Sequence, residues 1–277
     1  MNLSTASINN ELVSVNITTY DRSRLLARCL DSVLRQTYEY LEINIVDDCS
    51  NDNTEEVVKG YQLADRRINY YRHKKNKGNA AARNTAFLKS SGIFTAFLDD
   101  DDEWIDDRKI EKQLDVFRSS NDPMLGVVCT GILRTDINGE NRSEKANRPK
   151  NLVKTMLRGG LIHNSTAFLR SNVIRKVGCF DEKMPRGVDS EFFRRVVIKY
   201  GYHVHFMEDI TCRYYENSPN RMTSKVSNRN LIAVRKANSY LLRKYFWTNL
   251  RYPSVFFYRM KTVVKTQTSI VLRRVLK

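Results

Sequence analysis

The stretch Phe97-Leu98-Asp99-Asp100-Asp101-Asp102 decides how this chain is read. Ahead of it, Ile93-Phe94-Thr95-Ala96-Phe97-Leu98 is an apolar run rich in β-branched and aromatic residues, set off by Gly92. Such a run predicts a buried strand. The strand leads directly into four carboxylates. A strand end with that much negative charge needs a cation, because like charges a few ångströms apart repel. Hard oxygen donors suit Mg²⁺ or Mn²⁺, ions that bind through one or two carboxylates together with substrate phosphates. The competing reading is a solvated acidic turn that opens the next helix, where carboxylates are favoured.

Working outward, strand and helix patterns alternate. Leu12 to Thr18 predicts a strand, and Leu25, Leu26, Cys29, Leu30, Val33 and Leu34 recur at helical spacing, so Arg22 to Gln36 reads as an amphipathic helix. Strands follow at Leu41 to Val46 and Ile68 to Arg72, with helices over Thr54 to Ala64 and, after a Gly78-Asn79 turn, Ala80 to Lys89. This alternation argues for an α/β fold with a mostly parallel sheet and helices on its faces. Ligands of such sheets sit beyond the carboxyl ends of the strands. Thr18 to Arg22, Asp47 to Asp52 and Asp99 to Asp102 all fall there.

Beyond a helix near Asp106 to Ser119 the pattern changes. Leu125 to Leu133 and Leu161 to Leu169 read as strands, separated by a mobile, turn-rich stretch from Asp136 to Lys150. Asp189 to Tyr200 reads as a helix and His203 to Met207 as a strand. The remainder is basic and helical, over Ser227 to Phe246 and Pro253 to Leu276. The expected division is 1–105, 106–216 and a C-terminal extension at 217–277.

Four segments in order resemble a known family. They are Val15-Asn16-Ile17-Thr18-Thr19-Tyr20-Asp21-Arg22, Val46-Asp47-Asp48-Cys49-Ser50, Asn76-Lys77-Gly78-Asn79-Ala80-Ala81-Ala82-Arg83-Asn84 and the acidic run itself. Their order and spacing resemble those of family 2 glycosyltransferases, over about residues 11 to 215. The resemblance implies the GT-A fold, a Rossmann-like nucleotide-sugar-binding sheet, and inverting transfer from a nucleotide-diphospho sugar. It implies that residues 1–105 bind the donor and 106–216 the acceptor.

The resemblance also implies roles. Thr19, Tyr20, Asp21 and Arg22 would meet the nucleotide. Asp47 would accept from base or ribose, with Asp48 sharing that role or capping the loop. Gly78 would give tight entry to a helix whose Arg83 lies near the diphosphate. Asp99 would face the ribose with Asp100 beside it, and Asp101 would reach the metal, Mg²⁺ or Mn²⁺. The family's general base lies after a Gly-Phe-Asp-Glu-like stretch. Here Gly178-Cys179-Phe180-Asp181-Glu182 precedes Val188-Asp189-Ser190-Glu191, so Asp189 matches the base. Val188 departs from the usual acid at its position. A helix cap is the plainer role for Asp189, and Glu191 is the next candidate base. His163 is a candidate acceptor contact. His203 and His205 share a strand face with no third ligand near in sequence, so packing or a surface role is expected.

Composition narrows the setting. The 277 residues, 41% hydrophobic and 28% charged, describe a globular chain large enough for a real core. The net charge is +16, yet Arg213 to Lys277 holds 15 of the 47 Lys and Arg against one of the 31 acids, Glu216. Such asymmetry points to a polyanionic neighbour. No helix-turn-helix, zinc-finger or RNA-recognition signature accompanies it, so no specific nucleic acid is expected. Mixed aromatic, aliphatic and cationic residues over 252–277 suit an anionic membrane surface. The five scattered cysteines read as reduced thiols. Met1 to Ser7 lacks signal-peptide character and no run of about 18 apolar residues occurs. The expectation is a cytoplasmic enzyme, peripheral on the inner membrane face, that extends a glycan or lipid-linked glycan of a bacterial surface polysaccharide. The alternative is a catalytically inactive nucleotide-sugar or glycan-binding protein of the same fold.

Overall fold

The computed structural model describes residues 11–216 and 228–275. Met1 to Ser7, the segment 217–227 and the last two residues of the tail lie outside the described residues. The strands are β1 (Val13–Thr19), β2 (Leu41–Asp47), β3 (Ile68–Arg72), β4 (Phe94–Asp99), β5 (Asp102–Trp104), β6 (Leu125–Thr135), β7 (Asn141–Glu144), β8 (Phe168–Arg170) and β9 (His203–Tyr215). The helices are α1 (Ser23–Leu34), α2 (Thr54–Ala64), α3 (Asn79–Leu88), α4 (Lys109–Ser119), α5 (Leu152–Arg158), α6 (Ser171–Val177), α7 (Val188–Arg194), α8 (Asn228–Lys244), α9 (Phe246–Leu250) and α10 (Pro253–Val275).

The strands join one sheet in the order β3-β2-β1-β4-β8-β6-β9-β5, with β7 paired to β6. The first four are mutually parallel. Beyond β4 the sheet is mixed: β8 runs antiparallel to β4 and β6, and β9 runs parallel to β6. The period of two along β1 sorts its side chains. Val13, Val15 and Ile17 pack with Leu26 and Leu30 of α1, Val58 of α2 and Leu114 of α4. On β4, Phe94, Ala96 and Leu98 join that face, whereas Phe97 joins a second core with Phe87 of α3, Phe180, Phe192 and Leu241. Helices therefore cover both faces, and all four parallel strands deliver their ends to one edge.

The structure corrects several expectations in the second half. Leu161 to Leu169 is not one strand. A 3-10 turn at Asn164–Thr166 interrupts it, and only Phe168–Arg170 pairs in the sheet. Asn164, Ser165 and Thr166 are buried polar residues that hydrogen-bond through their side chains, which competes with a strand ladder. The stretch from Asp136 to Lys150 is not wholly turn: Asn141–Glu144 returns antiparallel on β6. Its polarity is that of an exposed edge strand. Strand β9 runs to Tyr215 because Met207 to Asp209 is accommodated by a register shift against β6. The helix expected over Asp189 to Tyr200 is α7 continued by a π-helical turn, Arg195–Lys199. The seven-residue helices α5 and α6 were too short for a periodic signal.

Candidate active site

The loops after β1 and β2 lock together. The Asp48 N–H donates to the Thr19 carbonyl at 2.9 Å, the Asp21 N–H to Ser50 Oγ at 2.9 Å, and the Asn51 N–H to Asp21 Oδ1 at 2.6 Å. Each loop needs one left-handed residue, Asp21 (φ 51°) and Cys49 (φ 73°), a conformation uncommon outside glycine. Asp47 is buried, accepting from Ser50 Oγ at 2.6 Å and Tyr70 Oη at 2.7 Å, with Arg72 Nε 3.6 Å away. Burial and the Asp47 hydrogen bond raise the Tyr70 pKa. Asp48 accepts from the Gly78 and Lys77 N–H groups at 2.7 and 2.8 Å and meets His73 Nδ1 at 2.7 Å. It thereby fixes the loop entering α3. Gly78 itself has φ 89°, which suits glycine there.

The acidic run is tied into cations and amides. Arg22 Nη1 lies 2.9 Å from Asp100 and 3.3 Å from Asp101. Arg83 is buried and ion-paired to Asp99. Burial works against the Arg83 charge, but Asp99, then Asp189, then Asp102 hold its pKa up. Burial pushes the Asp100 carboxyl up to about 7, with Arg22 opposing and Asp101 adding to the rise. Asn164 Nδ2 donates to Asp99 Oδ1 at 3.1 Å, Ser165 Oγ donates to Asp102, and Trp104 Nε1 donates to the Ser165 carbonyl at 2.8 Å. Oxygens of Asp99, Asp101 and Asp102 lie within 4.8 Å of one another. This convergence of hard donors fits a divalent cation.

A cleft of about 360 Å³ opens on this run. Thr18, Arg22, Arg83, Asp99, Asp100 and Asp101 line it together with Arg134, His163, Arg186, Asp189 and Tyr214. An adjoining cavity of about 300 Å³ is lined by Thr19, Tyr20, Arg22, Asp48, Gly78 and Asp100. Asp189 also lines a further cavity of about 360 Å³ with His163, Arg134, Ile132 and Ile162. Asp47 stands apart, in a cavity of about 320 Å³ with Asp52, Glu55 and Arg72. The Asp21 side chain lines none of these. Glu191 is fully buried against Arg195, Lys244 and Tyr245, away from all four cavities.

Sequence reasoning passed over Arg134, Tyr214, Arg186 and the Asn164–Ser165 turn. Only the turn had a signal: four consecutive small or polar residues, His163-Asn164-Ser165-Thr166, inside an otherwise apolar run. Its histidine sits 3.9 Å from Asp102 and edge-on to Tyr214. His203 faces away, 2.7 Å from Asp122.

Known proteins resemble this chain in sequence and in fold. WcaA of Escherichia coli K12, a putative colanic acid biosynthesis glycosyl transferase, is 30% identical over 70% of this chain and 68% of its own length. WfgD of Escherichia coli, named as a UDP-Glc:alpha-D-GlcNAc-diphosphoundecaprenol beta-1,3-glucosyltransferase, is 39% identical over 41% of this chain, which spans 44% of WfgD. The mannosyltransferase PcManGT of Pyrobaculum calidifontis, solved with GDP-Man and Mn²⁺, superposes with a TM-score of 0.64 at 16% identity, over 93% of this chain and 75% of that one. Its likeness is one of fold, the GT-A fold. The profile described as Glycosyl transferase family 2 matches residues 14–178. That match takes in well over half of the sequence, including Arg22, the helix that carries Arg83, and the acidic run. The chain therefore belongs to glycosyl transferase family 2, as a glycosyltransferase of the GT-A fold.

Proposed function

We propose that the protein is an inverting glycosyltransferase that moves a sugar from a nucleotide-diphospho sugar to a hydroxyl of a glycan or lipid-linked glycan. The observation that carries this reading is the placement of Asp189. It lines both the cleft of the acidic run and the cavity beyond it, so one carboxylate borders a donor side and an acceptor side. Thr19, Tyr20, Asp48 and Gly78 line the nucleotide end, with Asp21 bracing its loop and Asp47 reaching base or ribose from its own cavity. Arg22 and Arg83 offer cations to the diphosphate. Asp189 takes the proton of the acceptor hydroxyl as that oxygen bonds to the anomeric carbon. The carbon–diphosphate bond breaks on the opposite face, which inverts the configuration. Asp101, with Asp99 and Asp102 in reach, would hold a divalent cation, Mg²⁺ or Mn²⁺, which would supply positive charge toward the departing diphosphate. WfgD's name gives a diphosphoundecaprenol acceptor, which supports a lipid-linked acceptor here.

The test is a panel of nucleotide sugars incubated with Mn²⁺ and scored for nucleoside diphosphate release. Asp189→Asn keeps shape and removes basicity. It is expected to lower kcat about 10²-fold or more, the scale of general-base catalysis, with donor binding little changed. Near-normal turnover in that variant, or a product of retained configuration, rejects the mechanism.

A further inference from the structure

The segment that carries Asp189 is closed by a residue of the C-terminal tail. Its two flanking carboxylates, Asp181 and Glu191, converge on one ammonium: Lys244 Nζ lies 2.7 Å from Asp181 Oδ2 and 2.8 Å from Glu191 Oε1. Lys244 is the last residue of α8 and lines none of the cavities around the acidic run. Its neighbours repeat the connection. Tyr240 Oη donates to Asp181 at 2.6 Å, and Tyr245 Oη donates to Glu191 at 3.2 Å. Burial disfavours the Lys244 ammonium, yet Asp181 and Glu191 outweigh it and raise its pKa.

Between these ends, Arg186 to Ser190 line the cleft and Gly187 bends the chain at φ 69°. Asn84, next to Arg83, grips the near end from the donor side, pairing with the Phe180 N–H at 2.8 Å and carbonyl at 3.0 Å. Arg195 doubles the far end, bonding Glu191 at 3.0 and 2.9 Å and the carbonyls of Val177, Gly178 and Cys179. Glu191 is fully buried, and a buried carboxylate that loses a cationic partner is costly enough to move.

We propose that Lys244 is a positioning residue of the active site, a clasp that joins Asp181 to Glu191 and so sets Asp189 at the cleft. The proposal rests on Asp189 as the base, and it gives the tail a part in catalysis.

Full-length Lys244→Met and Lys244→Arg test it. Hydrogen exchange needs no donor: peptides within 182–190 are expected to exchange about 10-fold faster in Lys244→Met, with α1 to α4 unchanged. Turnover of UDP-glucose, UDP-N-acetylglucosamine and GDP-mannose is expected to fall in kcat about 10-fold or more, as displacement of a catalytic group costs. Donor KM stays within about twofold, because the donor contacts are untouched, and Lys244→Arg recovers most of the loss. Unchanged exchange at 182–190 overturns the clasp. So does faster exchange throughout the chain, which marks general destabilisation. The two readings fail separately: turnover retained in Asp189→Asn rejects the base, whereas an inert Asp189→Asn beside a fully active Lys244→Met rejects the clasp alone.

Discussion

Lys109 enters α4 with its side chain fully buried, donating to Gln113 Oε1 at 2.6 Å and lying 4.4 Å from the Trp104 ring centroid. Burial lowers its pKa to about 7, against smaller opposing effects of Cys212 and Asp106. The unfolded chain, with an ordinary lysine, binds that proton up to a much higher pH. Between about pH 7 and 10 the unfolded state holds more protons, so stability rises with pH there, by up to about 1.4 kcal/mol per unit. Below about 7 the penalty is present in full. Lys109→Met is expected to be more stable at pH 7 and to lose that slope, read as urea midpoints at pH 7, 8 and 9. A difference between wild type and Lys109→Met that stays level across this range, with the buried thiols common to both, rejects a neutralised Lys109. The residue matters to the site because Gln113 Nε2 donates to the Thr166 carbonyl at 2.9 Å, which steadies the turn against Asp99 and Asp102. Asp101→Ala tests the cation directly. It is expected to abolish nucleoside diphosphate release while the circular dichroism stays native, and excess EDTA should reproduce the loss in the unaltered protein. Full activity in EDTA removes the cation from the mechanism.

Among the elements, β1 and β2 are least ordinary on the face beneath α3. Asn16, Asn44 and Asn69 stand side by side in register. Asn44 Nδ2 donates to Asn16 Oδ1 and Ser90 Oγ, each at 3.3 Å, and Asn69 Nδ2 donates to Asn44 Oδ1 at 3.2 Å. Asn44→Ala takes one partner from buried Asn16, whose Oδ1 keeps Ser90 Oγ at 2.9 Å, and one from half-buried Asn69, and with the loss of the buried Asn44 amide is expected to cost about 1–3 kcal/mol in chemical denaturation. A loss under about 0.5 kcal/mol, within the ordinary range of surface substitutions, would mean that water replaces the amide. The parallel block was legible because Val13 to Ile17, Leu41 to Val46 and Phe94 to Leu98 are apolar on the α1 face, and each run ends at a recognisable polar loop. Helix α2 and strand β3 fall where the sequence places them. The asparagine face left no periodic trace, because its partners are set by strand neighbours. In the acidic run, side-chain chemistry marked Asp99 to Asp102 locally. Arg134 and Tyr214 reach the same cleft from β6 and β9, through a pairing more than 70 residues apart that one sequence does not announce. Local signals therefore marked the loops after β1, β2 and β4 better than the cleft residues that come from β6 and β9.

At the scale of the molecule, the basic tail is both packed and exposed. Ala237, Leu241 and Tyr245 of the α8 region and Val255 of α10 join the core around Phe192. Arg259, counted from sequence among the cations available to a surface, is buried and bonds Asn238 and the Leu157 carbonyl. Trp247, 81% exposed, Phe257, 68%, and Val264, 59%, stand out from the packed residues, with the exposed cations Arg251, Lys261 and Lys265 nearby in the chain. No acid occurs from 228 to 275, and no helix among the described residues is long and apolar enough to cross a membrane. Aromatic residues beside cations, without acids, match an anionic bilayer interface, where each Lys or Arg adds up to about 1 kcal/mol. Deleting 252–277 would remove core contacts along with this face, so point changes separate the two. Trp247→Ser with Phe257→Ser is expected to abolish co-sedimentation with phosphatidylglycerol vesicles and leave the melting temperature within a few degrees of wild type, because both side chains are exposed. Salt near 0.5 M should weaken binding of the unaltered protein, since screening shortens the reach of its cations. Equal binding to phosphatidylcholine vesicles, or vesicle binding untouched by the double substitution, would reject this face as the membrane contact and leave the exposed ridge without the anionic partner its charge calls for.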